Sequence, residues 1–264
     1  MSSSKPHRLP LSARLRSNIL RAPWFLLSTA IFGSLSLLVS CFEKDGVGQH
    51  RIARQWGRAS LFFAGAPVTV IGRENLLPLA IYVSNHTSFM DTPIIFSSLP
   101  FQFRILAKQS LWKWPFIGWH LNRSGQIPVD EEGTSGLNGA LRALRSGMPL
   151  FIFPEGGRTM DGQVRRFMKG PSFLAIRAKV PLIPMAIIGA YELLPIHTAH
   201  FSPTPVTLVI GKPIDTSGYS VRQTNELTAR LENEVSRLYQ EHAGQRQPTE
   251  ESAVESGDIR NANA

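Results

Sequence analysis

The run Ile81-Tyr82-Val83-Ser84-Asn85-His86-Thr87-Ser88-Phe89-Met90-Asp91 brings a histidine and a carboxylate close together, with Asp91 about one helical turn beyond the cap position. Apolar residues 81–83 read as a strand that delivers Asn85 and His86 to its carboxyl end, where α/β sheets place their ligands. Ser88 and Asp91 then mark the start of a helix. Asp91 lies five residues beyond His86, so it can turn back toward the imidazole. A carboxylate in that position fixes the tautomer and stabilises the imidazolium, which is what a general base needs. A histidine near an aspartate is also a common structural pair, and spacing alone leaves both readings open. Asn85-His86-Thr87 matches a glycosylation acceptor too, although the end of a buried strand is a poor place for one.

A second signal is Phe153-Pro154-Glu155-Gly156-Gly157-Arg158-Thr159. A strand ends here in a glycine-bearing loop whose bared N–H groups, with an arginine beside them, are the ingredients for holding a phosphate. A plain strand-to-loop turn would look the same. Downstream, Phe167-Met168-Lys169-Gly170 places another cation before a helix, and Val180-Pro181-Leu182-Ile183-Pro184 is a strand bracketed by prolines. Lys108, at the end of its own strand, can reach the same edge of a sheet or simply be solvated.

Taken in order, these residues resemble the glycerolipid acyltransferase family, most of all its bacterial 1-acylglycerol-3-phosphate acyltransferases. The first family block is matched by Asn85, His86 and Asp91, the third by residues 153–159 with Gly157 where threonine is common, and the fourth by residues 180–184. The second departs: Gly125-Gln126-Ile127-Pro128-Val129-Asp130 is followed by Glu131 where the family carries arginine. The resemblance covers about residues 68–214. It implies a general base, His86, oriented by Asp91, that takes the proton of a lysophospholipid hydroxyl as the oxygen attacks the thioester of acyl-CoA or acyl-carrier protein. It also implies acceptor binding by Glu155, Gly156, Arg158 and Lys108, and no metal or organic cofactor. Glu131 opens the acceptor head group to question, with Arg123, Arg104 or Lys108 as substitutes for the missing cation. A thioester is already activated, so the lack of a Gly-x-Ser-x-Gly elbow fits direct attack by the alcohol.

The elements that must position these groups follow from periodicity. Residues 68–71, 81–84, 104–107, 150–153, 182–188 and 206–210 are β-branched runs that read as strands. Leu137, Ala140, Leu141 and Leu144 recur at helical spacing up to Gly147, residues 174–178 form another short helix, and a capping box at Ser220 opens a helix carrying Leu227, Leu231, Val235 and Leu238 to about Gln240. The alternation predicts an α/β class domain over 66–242, a central, mostly parallel or mixed sheet flanked by helices. Residues 243–264 have almost nothing to bury and read as a disordered polar tail.

Residues 1–65 read as a membrane-associated segment. Lys5, Arg8, Arg14, Arg16 and Arg21 precede a stretch, Ala22 to Phe42, without Asp, Glu, Lys or Arg. As a helix it is about 31 Å long, close to the ~30 Å hydrocarbon core, and its serines leave a spanning and a re-entrant helix both open. A cleaved signal peptide is a further reading, with Leu38-Val39-Ser40-Cys41 resembling a lipoprotein site, but the apolar run exceeds the ~7–15 residues usual there. Between Arg51 and Phe63, Ile52, Trp56, Ala59 and Phe63 share one helical face and Arg51, Arg54 and Arg58 another. That helix either packs on the domain or lies among lipid headgroups with Trp56 at the interface. A hairpin dipping into one leaflet accommodates both charge clusters.

Composition narrows the alternatives. Twenty-eight Lys and Arg against 19 Asp and Glu give a net charge of +9, which favours an anionic partner. The basic residues are not interleaved with stacking aromatics, so nucleic acid is the least favoured of these; the partners that the resemblance implies are a thioester donor, a lysophospholipid acceptor and membrane lipids. A single cysteine excludes an intramolecular disulfide framework and a multi-cysteine zinc site. Acyl thioesters are cytosolic, so the expected location is a bacterial-type inner (cytoplasmic) membrane with the catalytic domain facing the cytoplasm. A thioesterase using the same His86 and Asp91 on water, and a non-catalytic basic lipid-binding protein, are the competing functions.

Overall fold

Apolar runs of three to seven residues, too short for helices, build the sheet. The computed structural model describes residues 17–130, 135–196, 198 and 200–244. Lys5, Arg8, Arg14, Arg16, Glu131 and the tail from 245 onward lie outside the described residues. The chain runs through helices α1 (Ala22–Val39) and α2 (Val47–Ala64), strands β1 (Val68–Ile71) and β2 (Ile81–Ser84), and helix α3 (Asp91–Ser98). It continues through β3 (Arg104–Lys108), α4 (Ile117–Arg123), β4 (Ile127–Val129), α5 (Leu137–Arg145), β5 (Leu150–Ile152) and α6 (Gly170–Ala178). β6 (Leu182–Ile188), α7 (Ala190–Leu193), β7 (Val206–Ile210) and α8 (Thr224–Ala243) complete it.

The strand order is β1-β7-β6-β2-β5-β3-β4. Five strands from β6 to β4 are mutually parallel, and the β6–β7 pair is antiparallel, so the sheet is mixed, as expected for an α/β fold. Alternation within β2 sorts the two cores: Tyr82 joins the cluster with α2 and α3, whereas Ile81 and Val83 join the one with α5, α6 and α8. All three are fully buried. Each buried side chain of this size contributes roughly 1.5–3 kcal/mol of transfer free energy. Three elements escaped the sequence reading, one of them the four-residue α7. β4 is three residues with Pro128 at its centre, a residue a sheet accepts here because β4 is the edge strand. α4 buries only Gly118 and Leu121, too little to leave a periodic stripe.

The two N-terminal helices form the expected hairpin, and it is docked on the domain. A Cβ on Gly57 would sit 2.6 Å from the Pro93 carbonyl oxygen, so glycine is what lets α2 approach α3. The Ile52–Trp56–Phe63 side of α2 turns to α1: the Trp56 indole N–H donates to Thr29 Oγ1 at 3.0 Å, and Trp24 stacks on Phe63 at 5.4 Å. Trp56 is thus half-buried between the two helices, while Arg51 and Arg58 stay exposed. The outer side of α1 is bare: Leu26, Leu27, Ile31, Leu35 and Leu38 are exposed, followed by Phe42, which is 82% exposed. Residues 19–39 form a helical stretch of mean hydropathy 1.7, long and apolar enough to cross a membrane, with only 11% of it buried in the protein.

Candidate active site

β2 ends at Ser84, and the next residue holds the chain in place by imitating a strand. The Asn85 side chain donates to the Ile187 carbonyl at 3.0 Å and accepts from the Ile187 N–H at 2.8 Å, extending the β2–β6 ladder by one side-chain pair. His86 is thereby fixed just beyond the parallel strands' carboxyl edge. Its Nδ1 lies 2.8 Å from Asp91 Oδ2, and that same oxygen accepts the backbone N–H groups of Thr87 at 2.7 Å and Ser88 at 2.9 Å. Asp91 is fully buried, whereas the His86 side chain is 20% exposed. The expected helix start is real, but Asp91 does not cap it, because its carboxylate points back at the loop. Ser88 does not cap it either: its hydroxyl donates to the Leu194 carbonyl at 2.9 Å.

An Nδ1 that faces a carboxylate carries the proton, so the neutral ring presents Nε2 as an acceptor. Among the described residues Nε2 has no hydrogen-bond partner. The ring stacks on Phe153 at 4.0 Å with 14° between planes. Phe153 opens the second motif, but its part in the site, as the ring under the imidazole, carries no mark in the motif itself; its place one residue past β5, beside β2, is the signal that could have found it.

The glycine loop closes over the same edge. Glu155 Oε1 accepts the His86 N–H at 3.1 Å, and the Thr159 N–H donates to the His86 carbonyl at 3.0 Å. Burial pushes the Glu155 carboxyl up to about 8, with the His86 and Arg165 backbone amides and the Arg165 charge opposing it and the Asp91 charge adding to it. Its Oε2 is buried with no hydrogen-bond partner. Gly156 adopts φ +72, and a Cβ there would meet the Met168 sulfur at 3.1 Å, so the loop needs glycine at this position. Arg158 lies with its guanidinium carbon 3.3 Å above the Phe89 ring, and its Nη1 is buried without an acceptor. Burial lowers its affinity for the proton, with the Asp91 charge countering.

Of the cations beyond these, Lys108 is exposed at the carboxyl end of β3, two strands from β2 along the same edge. Arg104 is not at this edge. It opens β3 at the opposite end of the sheet, where its Nη2 donates to the Asp45 carbonyl at 3.1 Å, fastening the turn of the hairpin. Arg123, at the end of α4, stands before β4 and so also lies toward that far end. Of the three substitutes considered for a cation at position 131, Lys108 alone shares the edge with His86. Among the described residues no group of three or more His, Cys, Asp and Glu could hold a metal ion.

Fold and site together define an acyltransferase domain, and comparison with known proteins agrees. The family model described as Acyltransferase matches residues 67–188. A 1-acyl-sn-glycerol-3-phosphate acyltransferase of Chlamydomonas reinhardtii is 32% identical over 228 residues, 81% of this chain and 67% of its own. A protein of the same name from Borreliella burgdorferi is 27% identical over 184 residues, 67% of this chain and 74% of its own. The crystal structure of the 1-acyl-sn-glycerophosphate acyltransferase of Thermotoga maritima matches with a TM-score of 0.78 at 27% identity, covering 90% of this chain and 100% of that one. The chain belongs to the glycerolipid acyltransferase family and is similar to its 1-acyl-sn-glycerol-3-phosphate members. It spans 67% of the algal relative and 48% of the chloroplast enzyme of Arabidopsis thaliana, which is 30% identical over 173 residues.

Proposed function

We propose that this protein is a membrane-associated O-acyltransferase that moves an acyl group from acyl-CoA or acyl-carrier protein to the free hydroxyl of lysophosphatidate, giving phosphatidate. The observation that carries the reading is the His86–Asp91 pair: one ring nitrogen is held at 2.8 Å by a buried carboxylate and the other is left to accept a proton. In the reaction His86 Nε2 takes the hydroxyl proton while the oxygen attacks the thioester carbonyl carbon. The tetrahedral intermediate collapses with loss of the C–S bond, and the imidazolium returns its proton to the departing thiolate. Such a base typically contributes ~10²–10⁴ in rate.

Arg158, Glu155, Gly156 and Lys108 bind the acceptor in this reading. Arg158 has a buried N–H with no acceptor, and Glu155, largely neutral at pH 7, leaves the arginine charge available for a phosphate. The bare apolar side of α1 supports residues 1–65 as the anchor, holding the 66–242 domain at the depth of a lipid hydroxyl. Because the donors are cytosolic, the catalytic edge faces the cytoplasm at the inner membrane.

An acyl-transfer assay in detergent tests this, with lysophosphatidate, glycerol-3-phosphate and a phosphate-free lyso-lipid as acceptors. Acylation of lysophosphatidate with little of the other two is expected. Acylation of the phosphate-free lipid alone would replace the acceptor assignment, and hydrolysis of the thioester without need of an acceptor would make the protein a thioesterase.

A further inference from the structure

Three cations beside the site take no part in the proposed binding of the acceptor. Arg165, Arg166 and Lys169 lie within five residues on the loop between β5 and α6, all are exposed, and none forms an ion pair with a described residue. The loop that carries them is fastened at several points. The Arg165 backbone faces the Glu155 carboxyl, which itself accepts the His86 N–H. The Met168 N–H donates to the Pro154 carbonyl at 2.8 Å. The Phe167 N–H donates to Glu232 Oε2 on α8 at 2.7 Å, and the Phe167 ring is buried with α5, α6 and α8. The backbone that carries these three like charges is thus pinned against the Pro154–Glu155 turn that touches His86, and their mutual repulsion is relieved when an anion binds between them.

Their side of the sheet matters. Phe167 packs in the core between the sheet and α5, α6 and α8, whereas the hairpin with its bare apolar surface belongs to the opposite layer with α3. A lipid acceptor entering from the hairpin side and a water-soluble donor entering from the other side would meet at His86. We propose that Arg165, Arg166 and Lys169 bind the phosphate end of a phosphopantetheine-type thioester donor, so that donor and acceptor are gripped by different cations. This rests on the acyltransferase reading above and adds the donor's binding site to it.

The test is the triple variant Arg165→Gln/Arg166→Gln/Lys169→Gln of the full chain. Since each exposed cation–phosphate contact contributes a few-fold, the KM for acyl-CoA should rise on the order of 10-fold. The KM for lysophosphatidate, the kcat, and the KM for a phosphate-free acyl-pantetheine should stay unchanged. Raised salt should weaken acyl-CoA use by the unaltered protein more than by the variant. Acyl-carrier protein run beside acyl-CoA separates the two donor sources: equal increases in KM assign the three cations to the shared pantetheine phosphate, and an increase for acyl-CoA alone assigns them to its nucleotide phosphates. Equilibrium binding of free CoA, measured by calorimetry without any acceptor, keeps this separate from the identity of the acceptor. Unchanged CoA affinity and donor KM in the variant, or a rise confined to the acceptor KM, would overturn the proposal.

Discussion

Two histidine sites stand at opposite ends of this sheet and share little beyond the imidazole. His86 has a carboxylate on one nitrogen, solvent access to its ring and an aromatic face beneath it. His50, on α2 near the hairpin turn, is buried between Phe96 at 5.4 Å and Phe103 at 4.8 Å. The backbone of Phe101 faces its ring, yet neither ring nitrogen is in hydrogen-bond geometry with a described residue. Burial, aided by the charges of Arg54 and Arg104, lowers His50 to about 4, and burial alone lowers His120, bonded to Ser36 Oγ at 2.6 Å, to about 4. Both are neutral packing groups at pH 7. The contrast teaches that a histidine becomes a base through a fixed acceptor on one nitrogen and room on the other, not through proximity to charge.

The sharpest break of that contrast is Asp91→Asn. It keeps the side-chain shape but removes the carboxylate that selects the tautomer, so kcat for acyl transfer should fall by about 10²–10⁴ with little change in fold. A kcat within a few-fold of the unaltered enzyme would reduce Asp91 to a packing role. A smaller effect, on stability, is expected from Asn85→Ala, which leaves the N–H and C=O of Ile187 without partners in a buried strand. Each should cost about 1–3 kcal/mol, read as a shift of the denaturation midpoint.

The smallest effects are slopes against pH, and the two regions should differ in sign. Glu155, raised to about 8, keeps in the folded state a proton that the unfolded chain releases near 4.5. Stability therefore falls as pH rises from about 4.5 to 8, and Glu155→Gln should flatten that fall. His50, lowered to about 4, lacks in the folded state a proton that the unfolded chain binds below 6.5. Stability is then lost as pH falls from 6.5 toward 4, and His50→Phe should lessen that loss. Thermal melts across pH 4–9 would show both, and equal slopes in variants and parent would contradict the burial argument.

How much of this was legible before the fold was known depends on the range of the interactions. Six strands were readable because β-branched runs such as Leu182–Ile188 are buried along their whole length and leave a clear pattern. β4 was not, since three residues with a central proline carry no periodicity. His86 and Asp91 were readable because their pairing is local, across five residues. Arg104 was misplaced as a substitute cation because its strand direction, and hence the end of the sheet it occupies, is a tertiary property. The docking of Trp56 against Thr29 likewise depends on how two helices meet, which an amphipathic pattern alone does not fix. Phe153 beneath the imidazole became visible only when β2 and β5 were seen side by side.

The most direct test of the central claim compares His86→Ala with His50→Ala in one acyl-transfer assay, normalised to folded protein by circular dichroism. Loss of activity by about 10²–10⁴ in the first, with the second near the parent rate per folded molecule, is the expected result. Full activity in His86→Ala would contradict it.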